Sequence, residues 1–151
     1  MTAVQDPIFV DALEQRLSRL MPDARRVWGT MTPHEMLCHL SDSFRGMLGE
    51  RHVSSANWSR LRRTVFKWVA FHTPLPWPRG IPTLAEVNPH RAGTKPDVFE
   101  RDREQLLLVM RRFVAADSRY APHPMFGELT RDEWMIWTFR HVDHHLRQFG
   151  Q

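Results

Sequence analysis

The chain has 151 residues, of which 42% are hydrophobic and 25% charged, and its net charge is +4. This globular balance excludes a chain that is disordered throughout, and the length suits one domain over residues 1–151. Cys38, the only cysteine, excludes an intrachain disulfide and favours a cytoplasmic location, and no apolar run approaches the roughly 20 residues that a membrane span needs.

Helix start signals occur at four places along the chain. Asp6 is followed by Pro7, while Thr32, Asp97 and Thr130 are each followed three residues later by Glu, which is the pattern of a capping box. With apolar residues at helical spacing, these signals predict an all-α fold without strands. The predicted helices span 7–20, 33–49, 58–71, 97–116 and 131–148. Basic residues on the third indicate a solvated face, so nucleic acid is not an expected partner.

The segment 73–96 is rich in proline and also contains Gly80 and Gly93, a composition that no helix interior tolerates. Long connections of this kind often cover a site. Leu75 and Trp77 supply apolar groups with which the segment can pack as a wall. The predicted fold class is therefore a four-helix bundle with an extra short helix and a Pro-rich crossover.

Two histidines near the end of the last predicted helix have the spacing of metal ligands. His141 and His145 are four residues apart, so on a helix their side chains are neighbours and both imidazoles can reach one ion at about 2 Å. An HxxxH pair alone also fits a hydrogen-bonded polar patch. Trp134 and Trp137 lie on the same stripe, however, and indicate that this face points inward, which favours a metal.

A third ligand has to come from another helix, and His39 is the best candidate because apolar residues flank it. Alone it also fits a core histidine bonded to a backbone carbonyl, but bundles build metal sites from facing helices. Asp42 is either an ordinary solvated carboxylate or an outer partner that fixes an imidazole tautomer, and Gln148 is a second candidate outer partner. Cys38 should point off the metal face as a small buried hydrophobe.

The other histidines are not predicted ligands. His144 is rotated about 100° from His145, so it is expected to contact solvent or a second copy of the chain in a homodimer. The rest fall in a first helical turn, in loops or near helix ends, and a surface position is expected for each of them. They are His34, His52, His72, His90 and His123.

The stretch 141–148 (HVDHHLRQ), together with His39 on a second helix, resembles the DinB/YfiT-like metalloprotein superfamily, whose hallmark is a helical histidine pair ending in HRGQ or a near relative. The stretches 28–33 (WGTMTP) and 126–130 (FGELT) look like an uncharacterised DinB-like branch. Leu-Arg stands here where the hallmark often has Arg-Gly. The resemblance implies that His39 and both histidines of the HxxxH pair are the ligands, and that the bundle is of the DinB-like, up-down-down-up type.

The resemblance also implies a function. Three imidazoles leave one or more metal positions open, and the expected ion is divalent, zinc or nickel before iron. Superfamily members include low-molecular-weight thiol S-transferases and a thiol-dependent isomerase, so we expect an enzyme that activates a small thiol, or water, at the metal. The alternative is a non-enzymatic metal-binding or stress-response module whose ion organises the bundle. No catalytic side chain is assigned.

Overall fold

Five α-helices and one short 3-10 helix form the regular structure of this computed structural model, which describes residues 6–116 and 120–151. They are α1 Asp6–Arg19, α2 Pro33–Met47, α3 Arg60–His72, the 3-10 helix Ala85–Val87, α4 Phe99–Ala115 and α5 Arg131–Arg147. The described residues contain no strand, only an isolated bridge between His123 and Gly127. The predicted all-α class is confirmed, and none of the described helices is long and apolar enough to cross a membrane.

The capping boxes predicted at the starts of α2 and α5 are present. Thr32 and Thr130 each accept a hydrogen bond from the backbone N–H three residues on, and the glutamate at that position accepts from the N–H of the cap. Each box satisfies amides that the first helical turn would otherwise leave unpaired. The side chains of Asp6 and Pro7, assigned to the start of α1, lie outside the described part of the structure.

The start of α4 differs from the prediction. The capping box expected at Asp97 is absent, and the N-cap is Val98, which makes no side-chain hydrogen bond. The Asp97 N–H instead donates to Asp102 Oδ2 at 3.0 Å, while the Asp97 carboxylate pairs with Arg101. A carboxylate farther along the helix therefore takes the role that the sequence pattern assigns to the glutamate three residues after the cap.

The helices pack through the apolar stripe that each presents. α2 packs against α4, α1 against both α4 and α5, and α3 against α5. Burying one large apolar side chain contributes about 1.5–3 kcal/mol, so these stripes fix the relative positions of α2 and α5. The largest fully buried side chains are Leu13, Leu17, Leu20, Met36, Leu37, Leu40, Phe44, Leu106, Met110, Phe113, Trp134 and Leu146.

The Pro-rich segment between α3 and α4 is fixed to the helices by hydrogen bonds. The Arg140 guanidinium of α5 donates to the carbonyls of Ala70 and Thr73 at 2.6 and 2.9 Å, at the end of α3. Farther along, the buried Asp42 carboxylate accepts from the N–H and the hydroxyl of Thr94, both at 2.7 Å. Between these anchors the 3-10 helix packs against α2. That element was not predicted because it is too short for sequence periodicity to reveal.

Candidate metal centre

α5 carries two imidazoles on its inward face. The rings of His141 and His145 lie one turn apart, with centroids separated by 4.9 Å. Trp134 and Trp137, on the same stripe, are 1% and 3% exposed, which confirms that this face points inward. The HxxxH spacing therefore brings both rings into the interior, as the sequence predicts.

α2 brings His39 to the same point. Its Nε2 lies 3.4 Å from His141 Nε2, and its ring centroid is 4.6 Å from that of His145. In this histidine triad (His39, His141 and His145), one nitrogen from each ring lies within 4.8 Å of the other two. Two nitrogens bound at about 2.05 Å to one tetrahedral ion are about 3.4 Å apart, so the residues present fit a divalent ion held by nitrogen.

Two of the three rings have their outer nitrogen engaged by an oxygen atom. His39 Nδ1 lies 2.7 Å from the carbonyl oxygen of Val87 in the 3-10 helix, and His145 Nδ1 lies 2.9 Å from Gln148 Oε1. The third ring differs, because His141 Nδ1 is buried with no hydrogen-bond partner among the described residues. Since both oxygens are acceptors, His39 and His145 carry their proton on Nδ1 and keep the Nε2 lone pair for a metal.

Gln148, one of the predicted outer partners, is itself held by close packing against Gly29. Gly29 has a φ of +88°, and a Cβ at this position would lie 2.6 Å from Gln148 Nε2. The N–H of Val27 donates to the Gln148 carbonyl at 2.7 Å. The close packing against Gly29 fixes the Gln148 side-chain amide, whose oxygen bonds His145. The segment before α2 is therefore part of the site.

Asp42 does not have either role considered for it. It is neither solvated nor bonded to an imidazole, because its buried carboxylate accepts from Thr94 and pairs with Arg51 at 3.3 Å. Arg51 also donates to the carbonyl of Glu86 at 2.8 Å. Asp42 therefore acts on the site indirectly, by fixing the 3-10 helix whose Val87 carbonyl bonds the α2 imidazole.

Burial keeps the three imidazoles neutral. It lowers the pKa of His39, an effect partly offset by the Val87 carbonyl and by the charge of Asp42. The pKa values of His141 and His145 lie well below the ordinary value because of burial and of repulsion from neighbouring imidazoles. Neutral imidazole is the form that binds metals, so all three rings are ready as ligands at neutral pH.

The histidine triad lines a cavity of about 790 Å³. The Pro-rich segment supplies one wall of this cavity through Leu75 and Trp77, as the sequence predicts. α3 supplies another wall through Val65 and Val69. An ion held by three imidazoles would therefore face a space large enough for a small molecule.

Two histidines expected at the surface line this cavity instead. His144 packs edge-on against Trp28 and His145 at centroid distances of 4.8 and 5.4 Å, and burial lowers its pKa to about 4. His123 Nδ1 accepts from two backbone N–H groups of the turn that follows it, and burial lowers its pKa to about 3. His123 is buried and His144 is half-buried, and both contact loop residues, whose packing has no sequence periodicity to signal it. The exposed histidines, as predicted, are His52, His72 and His90, whereas His34, also expected at the surface, is half-buried.

A second group of potential ligands lies on another face of α2. In this Asp102 cluster (His34, Cys38 and Asp102), His34 Nε2 and Cys38 Sγ lie 2.7 and 3.8 Å from Asp102 Oδ2. The sequence does not signal this cluster, because it forms only when α2 packs on α4. Cys38 is buried away from the triad, as predicted, and burial together with the charge of Asp102 raises the pKa of its thiol to about 12.

A comparison with known families links the chain to proteins described only as being of unknown function. The model of the family DUF1569 matches residues 54–151, which is more than half of the chain. The chain belongs to the DUF1569 family. The DUF1569 match includes His141, His145 and Gln148, whereas His39 precedes it. Neither the curated proteins nor the solved structures contain a match to the chain.

Proposed function

We propose that this DUF1569 protein holds one divalent metal ion through His39, His141 and His145 and uses it to activate a small thiol or a water molecule. The observation that carries the proposal is the convergence of three imidazole nitrogens within 4.8 Å, with the outer nitrogen of two rings bonded to an oxygen. Three nitrogen ligands leave a coordination position open, which is the pattern of catalytic zinc sites. Imidazole suits zinc and nickel, and iron is the next candidate.

We also propose that the chain is a DinB-like branch of the DinB/YfiT-like superfamily and that α1, α2, α4 and α5 form its four-helix bundle. Support comes from the packing of α2 on α4 and of α1 on both α4 and α5. Further support is an HxxxH pair followed by Gln148, as in the superfamily hallmark. A cytoplasmic location and a homodimer stay predictions from the sequence.

The residues around the triad have roles that follow from their contacts. The Val87 carbonyl and the Gln148 amide hold the proton of two ligand rings on Nδ1, and so orient each Nε2 toward one point. Trp77 and Trp137 pack against His141 at ring-centroid distances of 6.0 and 4.7 Å and restrict the position of its ring. A divalent ion, when bound, lowers the pKa of a water or thiol at its open position toward neutrality.

A second candidate function is favoured by one observation. None of the described residues that line the cavity is Asp or Glu, and burial lowers the pKa of the two further imidazoles there, His123 and His144, to about 3 and about 4, so the lining offers only weak general bases. A metal-binding or stress-response module, whose ion organises the helices, needs no general base. We therefore assign no catalytic side chain.

Metal analysis of protein purified without a His tag tests the site. The wild-type chain should hold one equivalent of metal, and His39→Ala and His145→Ala should each lose it, because two imidazoles do not retain an ion that three hold. His34→Ala is the matched control: it removes a histidine from the same helix as His39 and should retain the metal. Retention of metal by both triad variants would overturn the proposal.

An activity assay then separates the enzyme from the binding module. The metal-loaded protein is incubated with a panel of small thiols and an electrophile, and hydrolysis is followed in parallel. A rate that disappears with a chelator and in His145→Ala supports the enzyme. A protein that holds metal but shows no metal-dependent rate in either assay is the binding module.

A further inference from the structure

The cavity beside the histidine triad is lined mainly by apolar side chains. α3 contributes Val65, Phe66 and Val69, and the Pro-rich segment contributes Leu75 and Ile81. Its volume of about 790 Å³ lies within the range of about 300–1,000 Å³ that is typical of small-molecule sites. The lining therefore favours a ligand that brings mostly apolar surface.

Charge is nearly missing from this lining. Arg79 is the one Lys, Arg, Asp or Glu among the described lining residues, and its guanidinium lies over the Trp28 ring at 4.8 Å from the centroid. Neutral polar groups are partly used within the protein. The Ser43 hydroxyl donates to the His39 carbonyl at 2.9 Å, and Asn88 Oδ1 accepts from a backbone N–H at 2.9 Å. The Trp77 indole N–H, buried without a hydrogen-bond partner among the described residues, remains available to a ligand beside the imidazoles, within a lining that is mostly apolar.

Large apolar side chains also surround the opening of the cavity. Val65, Leu75 and Ile81 line the cavity and yet are 50%, 59% and 37% exposed. Exposed apolar side chains around a cavity mark a ligand site, because contact with an apolar ligand removes them from water. The apolar lining thus extends outward from the triad to the solvent.

We infer that the cavity binds a free amphiphile: an apolar chain that ends in one small metal-ligating head group, a thiol or a carboxylate, placed at the histidine triad. The inference rests on the proposed function, since the ion at the triad would bind the head. It narrows the substrate class, because a thiol with several charged groups would have to bury them against apolar side chains. Burying charges without partners is costly, and Arg79 alone does not supply those partners.

A chain-length series tests this inference. Zinc-loaded protein is titrated with hexanoate, octanoate and decanoate, and binding is followed by tryptophan fluorescence, since Trp28, Trp77 and Trp137 line the cavity. Affinity should rise roughly threefold to fourfold for each added methylene, with saturation at one ligand per chain. Glutathione, a thiol with several charges, should bind at least tenfold more weakly than decanoate. Affinity that does not depend on chain length, or tighter binding of glutathione, would overturn the inference.

Two variants of α3 show whether the ligand occupies the cavity or adheres to the surface. Val65→Glu adds a carboxylate at the cavity opening, and Leu61→Glu adds the same group on the same helix at a side chain that is 75% exposed and does not line the cavity. Decanoate affinity should fall at least tenfold in Val65→Glu and stay within twofold of wild type in Leu61→Glu. An equal loss of decanoate affinity in both variants, or no loss in either, contradicts binding in the cavity. Melting temperatures of both variants verify that they fold.

Metal content, measured on the same samples, separates failure of this inference from failure of the proposed function. A chain that binds decanoate in the cavity but no metal contradicts the metal site, and it also contradicts the placement of the head group. A chain that holds zinc but binds glutathione more tightly than decanoate supports the metal site and contradicts the inference of an apolar ligand. Cobalt-loaded protein tests the placement of the head group, because its visible absorption should change with octanoate and stay unchanged with octanol.

Discussion

The histidine triad and the Asp102 cluster lie on different faces of α2, and each offers three ligand atoms within 4.8 Å of one another. In the triad, the outer nitrogens of two rings are bonded to oxygens, and the nitrogens that face one another have no oxygen partner within the described part of the chain. In the cluster, a single oxygen atom, Asp102 Oδ2, contacts three groups: His34, Cys38 and the N–H of Asp97. The difference teaches that proximity does not make a metal site unless lone pairs remain available.

Helix periodicity explains why α2 serves two environments. His34 and Cys38 are four residues apart and therefore share the face that meets α4. His39, one position after Cys38, is rotated by about 100° toward α5 and the cavity. The triad lines that cavity and the Asp102 cluster does not, so only the triad combines free ligand atoms with space for a further ligand.

The largest difference between the two groups should appear in stability with zinc. When free zinc is about 100 times the Kd, the wild-type chain should gain about 2.7 kcal/mol, which raises Tm by roughly 5–10 °C in a domain of this size. His141→Ala should gain nothing, while His34→Ala should gain as much as wild type. Thermal melts with zinc and with a chelator measure both. A zinc-dependent rise in Tm that persists in His141→Ala but not in His34→Ala would show that zinc binds at the Asp102 cluster and not at the triad.

Breaking the Asp102 cluster should cost stability and leave metal binding unchanged. Asp102→Ala leaves the Asp97 N–H and the His34 ring without their acceptor, a loss of about 1–3 kcal/mol. Urea unfolding of the zinc-free protein measures this loss, and a zinc titration of the same variant should return the wild-type Kd. A weaker zinc Kd would show that Asp102 serves the metal site.

Removing an outer partner of the triad should weaken zinc binding, in contrast to removing Asp102. Gln148→Ala frees the His145 ring from the oxygen that orients it and should weaken zinc binding by about 10- to 100-fold. Gln148→Glu keeps an acceptor oxygen at this position and should stay within tenfold of wild type. Zinc titrations of both variants decide the matter. An unchanged Kd in Gln148→Ala would mean that packing alone orients the ring.

The smallest effect concerns pH and the buried imidazole beside the triad. Burial lowers the pKa of His123 to about 3, so below its unfolded pKa the unfolded chain binds a proton that the folded chain does not. For this one group, stability should therefore be full well above pH 6.5 and should fall by about 1 kcal/mol between pH 6.5 and 5.5. His123→Asn keeps an acceptor but does not titrate, so chelator-treated variant should lose less stability between pH 6.5 and 5.5. Equal slopes for variant and wild type would contradict this assignment.

The sequence predicts the triad because each of its members belongs to a periodic helix. His141 and His145 share a stripe with Trp134 and Trp137, and this stripe is buried as expected. The flanking apolar residues of His39 likewise predict its burial. Local spacing is enough for such residues, since a helix converts it directly into a shared face.

The parts that the sequence does not predict depend on contacts between distant segments. The carbonyl of Val87 bonds His39 only because a short 3-10 helix folds back onto α2, and backbone carbonyls have no residue signature. Loop residues contribute to covering His144 and His123, since Trp28 packs against His144 and Phe126 against His123. Asp42 is bonded to Thr94 instead of an imidazole for the same reason, since its partner comes from the Pro-rich segment.

The most direct test of the central claim is X-ray absorption at the zinc edge of the protein loaded with one equivalent of zinc. The account predicts a nitrogen shell at about 2.0–2.1 Å with imidazole scattering and no sulfur, as expected for His39, His141 and His145. A sulfur atom at about 2.3 Å would identify Cys38 as a ligand and move the metal to the Asp102 cluster. That result would contradict the account.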